Sequence, residues 1–196
     1  AVILPYSIAQ TVFALTTIVS GRLVDLKGPR ISMFIGAILY GGGLLISGFA
    51  HSPLLLYISY GVIAGMGIGF IYVCPLATLV KWFPDKKGLV TGLSVAVFAS
   101  GSIFYKQLIS FMLEFIDVSS TFILLGVLSF ILIFIGALLT SNPPDYSRKE
   151  AVRHEGDYTT REMVGTRKFR ILWVMYLLAA MPGLLVLGAA ANIGMD

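Results

Sequence analysis

The chain has 196 residues, of which 57% are hydrophobic and only 12% charged, with a net charge of +4. Soluble domains carry about a quarter charged residues, so a water-soluble globular fold is excluded. The single cysteine, Cys74, likewise excludes an internal disulfide and a cysteine metal cluster.

A hydrocarbon layer ~30 Å thick needs ~20 apolar residues per helix. Six runs qualify in chain order: residues 1–20, 31–50, 53–80, 88–113, 119–140 and 170–195. They are long and do not alternate, whereas a barrel alternates in pieces of ~10 residues. Lipid offers the backbone no partners, so such runs must be helices. The sequence therefore predicts an all-α polytopic membrane protein with about six transmembrane helices.

The first run holds a mid-span Gln10, and no basic segment precedes it, so no cleavable signal peptide is visible. Then comes "GRLVDLKGPR", Gly21 to Arg30, with four charges: Arg22, Asp25, Lys27 and Arg30. The second run contains Gly41, Gly42 and Gly43, which predict a soft point. In the third, Gly61, Gly65 and Gly69 recur every four residues on one face, and Tyr72 is polar at mid-span. Small residues at this spacing let helix backbones approach closely. A second charged connection follows, with Lys81, Asp85, Lys86 and Lys87. The fourth run repeats the small-residue pattern at Gly92, Ala96 and Ser100, and it holds Lys106.

After the fifth run lies a polar linker, 141–169, where Pro143 and Pro144 stop the helix. Thr159 and Glu162 fit a capping box that starts a short helix ahead of the sixth run. The expected organisation is a bundle over 1–140, a linker over 141–169, and the first helix of a second half over 170–196.

Thirteen of the fourteen cations fall in every second connection: 21–30, 81–87 and 141–170. The connections around "AHSP" and "EFIDVSS" contain no Lys or Arg. Basic runs also contact nucleic acid, but strict alternation with apolar runs points to the positive-inside rule, and so to a cytoplasmic side and no nucleic-acid partner. Ala1 and Asp196 then both face outward. The expectation is a fragment from the middle of a longer chain, with at least one helix missing upstream.

Enzyme chemistry finds little support. "GMGIGF" lies within a span and lacks the strand–turn–helix context of a nucleotide loop. There is no G-x-S-x-G or H-E-x-x-H, and His51 and His154 fall on opposite sides of the membrane. No cofactor or metal is expected. Lys106 is the one ionisable group well inside a run, a candidate for anion binding by default. It also lies near enough to the run's end to snorkel outward and to meet Glu114 through water. Gln10 and Tyr72 suit either a cavity wall or a hydrogen bond between helices.

"GRLVDLKGPR" resembles the signature loop of the major facilitator superfamily, roughly G-x-L-a-D-r-x-G-r-r. Gly21, Leu23, Asp25, Gly28 and Arg30 match, and Pro29 replaces one basic residue. "KWFPDKKGLVTGL" with "GPR" and "NPP" is similar to the oxalate:formate antiporter family and its monocarboxylate-transporter-like relatives. The Gly-Pro that drug/proton antiporters carry late in helix five is absent from "FASGSIFYKQL". The resemblance covers the whole chain, as helices two to seven. It implies a central cavity for a small carboxylate, with its principal cations in later helices.

By that resemblance Gln10 and Tyr72 face the cavity, Phe98 stands where the oxalate carrier has a tyrosine, and Lys106 has no counterpart. Both departures bear on oxalate as the substrate. The resemblance also makes 21–30 a gating loop, with Asp25 held by Arg30 or Lys27 and Gly21 free to contact the other half. The implied function is secondary transport of small organic anions by alternating access, by exchange or with protons, in a plasma or inner membrane. The alternatives are a facilitator of sugars or drugs and a non-transporting receptor or scaffold.

Overall fold

The structure, a computed structural model, describes residues 3–143, 160–175 and 178. The chain forms two compact units, Ala1–Tyr146 and Ser147–Asp196. The first contains α1 (Ile3–Lys27), α2 (Pro29–Gly48), α3 (Pro53–Trp82), α4 (Lys87–Leu113) and α5 (Val118–Leu139). Among the described residues, five helices are long and apolar enough to cross a membrane. In the second unit α6 spans Thr160–Gly165, and residues 167–175 are helical. The expected cap Thr159, the stop Pro144 and most of the expected sixth span lie outside the described residues. No strand occurs among the described residues.

Gly28 explains where α1 ends. The sequence suggested an open charged connection from residue 21, but α1 continues to Lys27 and α2 begins at Pro29. The break is a single residue, Gly28 at φ 88°, whose N–H bonds back to Val24 O at 3.0 Å. Side chains bearing charge are satisfied in water on a helix as well as on a loop, so the helix need not stop where hydrocarbon stops. A residue with positive φ ends it, and Pro29 suits the first position of the next helix.

Two helix starts in the first unit are capped by side chains. Ser52 Oγ accepts the Leu55 N–H at 3.3 Å, with Pro53 at the first position of α3. Asp117 accepts the Ser120 N–H at 3.2 Å and the Ser120 hydroxyl at 2.7 Å ahead of α5. These bonds, the hydroxyl's first, hold the Asp117 carboxyl below the usual carboxylate range.

α3 contains the main irregularity. Residues Tyr57–Ala64 form a π-helix between α-helical Pro53–Leu56 and Gly65–Trp82. α2 runs unbroken through Gly41–Gly43, where the sequence suggested a soft point. Gly41 and Gly43 are packing sites instead. A Cβ on Gly41 would lie 2.7 Å from Phe130 Cβ, and one on Gly43 2.7 Å from Ala64 N. Nothing lies near Gly42.

The most deeply buried positions are mostly small residues, with Val24, Met33, Leu44 and Leu125 between them. Ala37, Ala64, Cys74, Ser20, Ser32, Ser59 and Ser129 are buried almost completely. Large apolar side chains point outward; Phe104 is 75% exposed and Leu139 79%. Such a surface is untenable in water and natural in lipid. Hydroxyl pairs stitch the bundle: Ser20 to Ser32 at 3.2 Å, Ser47 to Ser59 at 2.8 Å, and Tyr105 to Ser129 at 3.0 Å. Each such bond is worth ~0.6–2 kcal/mol within a membrane.

α4 stands apart from this packing. A Cβ on Gly92 would meet nothing within 4 Å, and Ala96 and Ser100 are exposed. The small-residue face predicted on this helix therefore packs against none of the described residues. The reason is position: α4 touches α3 and α5 only sparsely.

Candidate functional site

Two regions gather the residues singled out by sequence. The first is the bundle end where α1, α3 and α5 finish. Here Asp25 and Lys81 form an ion pair, Lys81 Nζ to Asp25 Oδ1 at 3.6 Å. The Asp25 side chain is 72% exposed and that of Lys81 12%. This differs from the expected pairing with Arg30 or Lys27. Arg30 Nε instead donates to Thr140 O at 2.6 Å, satisfying an orphan carbonyl at the end of α5. The Trp82 indole N–H donates to Ser141 O at 2.9 Å beside it.

Asn142 approaches the same junction. A Cβ on Gly28 would lie 3.7 Å from its Nδ2, while its Oδ1 is buried without a hydrogen-bond partner. Lys27, Asp85, Lys86 and Lys87 are exposed; the last three lie at the short 3₁₀ turn Pro84–Lys86 and the start of α4. Gly21 faces α3, where an added Cβ would stand 4.0 Å from Val73 Cγ1, an ordinary contact. The basic and acidic groups of two charged connections thus meet at one end of the bundle, with Lys81 from the second reaching Asp25 of the first.

The second region lies along α1, α3 and α4. Phe13 meets Tyr72 edge-on with ring centroids 5.4 Å apart, and Tyr72 meets Phe98 at 4.9 Å. Edge-to-face rings place a positive rim against a negative face, so the row is ordered as well as apolar. Gln10, one turn before Phe13, donates from Nε2 to the Tyr6 hydroxyl at 3.0 Å. The structure thus brings Tyr72 and Phe98 together and sets Gln10 one turn from the row.

Lys106 follows Phe98 by eight residues, roughly 12 Å of helix. It is exposed, and neither it nor Glu114 forms an ion pair with a described residue.

Gly61, Gly65 and Gly69 face α1. Added Cβ atoms there would come 2.9 Å from Ile8 Cγ2, 2.9 Å from Ala9 O and 2.7 Å from Thr16 Cβ. Sequence reasoning missed the companion contact between α2 and α3. A Cβ on Gly36 would lie 2.7 Å from Ile71 Cγ1, and one on Gly67 would collide with the Tyr40 backbone. Gly67 sits midway between Gly65 and Gly69, so its repeat was hidden by theirs. Arg30's partner was also missed, because backbone carbonyls carry no sequence signature.

The family profile described as Major Facilitator Superfamily matches residues 1–195. The Escherichia coli protein named "Uncharacterized MFS-type transporter YhjX" is 31% identical over 181 residues, 92% of this chain and 45% of the relative. The "Oxalate:formate antiporter" of Oxalobacter formigenes is 31% identical over 193 residues, 94% of this chain and 46% of the relative. "Monocarboxylate transporter 9" of Pongo abelii is 28% identical over 133 residues, 68% and 26% respectively. The chain spans under half the length of these relatives.

Proposed function

The chain belongs to the major facilitator superfamily, and on that premise we propose that it is part of a secondary transporter that moves small organic anions by alternating access. The observation that carries the substrate reading is the Phe13–Tyr72–Phe98 row across three helices, with Gln10 beside it. Rings of this kind grip the apolar part of a small carboxylate, while an amide and a phenol offer donors to its oxygens. Likeness to an oxalate:formate antiporter and a monocarboxylate transporter supports the same class. Phe98 brings no hydroxyl, which favours a monocarboxylate over a dicarboxylate. Lys106, towards the end opposite the basic connections, supplies a positive charge on the anion's route.

In this reading residues 1–140 are helices two to six of the first half, 141–169 the central linker and 170–196 the start of the second half. Connections 21–30, 81–87 and 141–169 face the cytoplasm. The Asp25–Lys81 pair braces the gating loop. With Asp25 72% exposed, water screens the pair towards the ~0–1 kcal/mol of surface ion pairs, which suits a contact that must be remade in each cycle. The transporter works by exchange or with protons.

The test is transport by the complete protein in liposomes. Uptake of labelled formate, acetate or lactate, stimulated by carboxylate inside, is the expected result. Flux of a sugar or a lipophilic cation with none for any carboxylate would sink the anion reading, and absence of all flux would point to a receptor or scaffold.

A further inference from the structure

The Phe13–Tyr72–Phe98 row depends on how α4 is turned about its own axis, because Phe98 is its member from that helix. Phe98, Tyr105, Ile109 and Met112 lie along one line of α4, spaced by nearly whole turns. Met112 is buried with Leu44 of α2 and Leu125 of α5, and Tyr105 and Ile109 pack against that cluster. Between Phe98 and Tyr105 the line has no brace among the described residues: a Cβ on Gly101 would meet nothing within 4 Å.

Apolar burial is non-directional and leaves a helix's rotation loosely fixed. A hydrogen bond is directional. The hydroxyls of Thr91, Ser94, Ser100 and Ser102 turn back onto carbonyls of α4 itself. That of Tyr105 reaches across to α5, where it shares a 3.0 Å hydrogen bond with the buried Ser129 hydroxyl. We propose that Tyr105 is a positioning residue: through Ser129 it sets the rotation of α4 and so aims Phe98 at Tyr72. Both partners stand on described helices of the first unit, so the tie exists whatever covers the rest of α4.

Scale supports the assignment. A side chain ~5 Å from the helix axis moves ~2 Å when the helix turns by ~20°. The Tyr72 and Phe98 centroids are 4.9 Å apart, so such a turn can carry the rings to about 7 Å, the limit of their contact range. Losing the tie does not break the core. Ser129 can return its hydroxyl to the carbonyl four residues earlier, as Ser47 and Thr121 do. The consequence for transport rests on the reading of the row as a substrate contact; the geometry does not.

The test places 4-fluorophenylalanine at position 98 of the complete protein and reads its fluorine resonance, with Tyr72→Ala as the state without the facing ring. Tyr105→Phe should move the resonance at least halfway to that of Tyr72→Ala. Ser129→Ala should do the same, and the double variant no more. Thr91→Val, which loses a hydroxyl bonded within α4, should leave it in place. In the unlabelled protein, Tyr105→Phe should raise KM for carboxylate uptake severalfold, with maximal rate and melting temperature little changed. In a Phe98→Ala background it should add nothing. A resonance unmoved by Tyr105→Phe or by Ser129→Ala would overturn the proposal, and so would an equal shift on Thr91→Val. A moved resonance with an unaltered KM would uphold the tie and sink the row as a substrate contact.

Discussion

Lys81, on the last turn of α3, reaches Asp25, on the last turns of α1, across 3.6 Å. The pair joins the two charged connections that the sequence presents as separate. Water reaches the pair from the Asp25 side, 72% exposed, so Asp25→Asn should change the melting temperature little, on the ~0–1 kcal/mol scale of screened pairs. Lys81→Ala and the double variant complete a thermodynamic cycle, and its coupling should be below about 1 kcal/mol. In the complete transporter, Asp25→Asn should cut initial uptake severalfold with normal insertion. Unchanged uptake would remove the bracing role.

Gly67 and Gly92 make a matched contrast. Gly67→Ala places a methyl group against the Tyr40 backbone, and overpacking of this kind costs ~1–3 kcal/mol. Gly92→Ala enters open space and should be neutral or slightly stabilising, since alanine favours a helix by ~0.5–1 kcal/mol. Thermal unfolding in detergent separates the two; equal melting temperatures would contradict the packing.

Arg30 and Trp82 both donate to carbonyls at the end of α5. Trp82→Phe keeps the ring and deletes one hydrogen bond, so it should cost ~0.5–1.5 kcal/mol. Arg30→Ala should cost more, since a charged donor leaves. Amide exchange at residues 140–142 should accelerate in both variants. Protection equal to wild type would show that these bonds do not hold the start of the linker.

Asp117 sets a pH dependence. Its folded-state carboxyl lies below the usual range because Ser120 donates to it. Its contribution is therefore present above the ordinary carboxylate value, ~3.9, and fades as pH falls through the lower folded value. Asp117→Ala should melt below wild type at neutral pH, and the gap should close in acid below about pH 4. A gap that persists there would assign the effect to something other than the charged cap.

Tyr72 touches rings on two other helices. Tyr72→Phe keeps both contacts and should spare folding, while Tyr72→Ala should lose ~0.5–1.5 kcal/mol per ring pair. If the row contacts substrate, Tyr72→Phe raises KM for carboxylate uptake with the melting temperature unchanged. An unaltered KM would leave the ring a purely structural part.

The helices were legible because ~20 uncharged apolar residues have one physical solution in lipid. Their ends were less so. Charges at 21–27 read as a connection, but only Gly28, at φ 88°, stops α1. Gly41–Gly43 read as flexible because glycine costs a helix stability, whereas two of them sit against neighbours that leave no room for a methyl group. The π-helical stretch at Tyr57–Ala64 has no residue that announces it. Arg30 was matched to the nearest acid in sequence, and its partner was a carbonyl 110 residues away. Tyr72 and Phe98 were both named, but their contact depends on how α3 and α4 cross.

The small-residue interior has a consequence for variation. In a water-soluble protein the centre holds the bulkiest side chains and tolerates shrinkage worst. Here Ala37, Ser32, Ser59 and Cys74 fill the centre and Phe104 and Leu139 the outside. A saturation scan should therefore invert the familiar map: enlargement is lethal inside, and outside almost any oily residue passes.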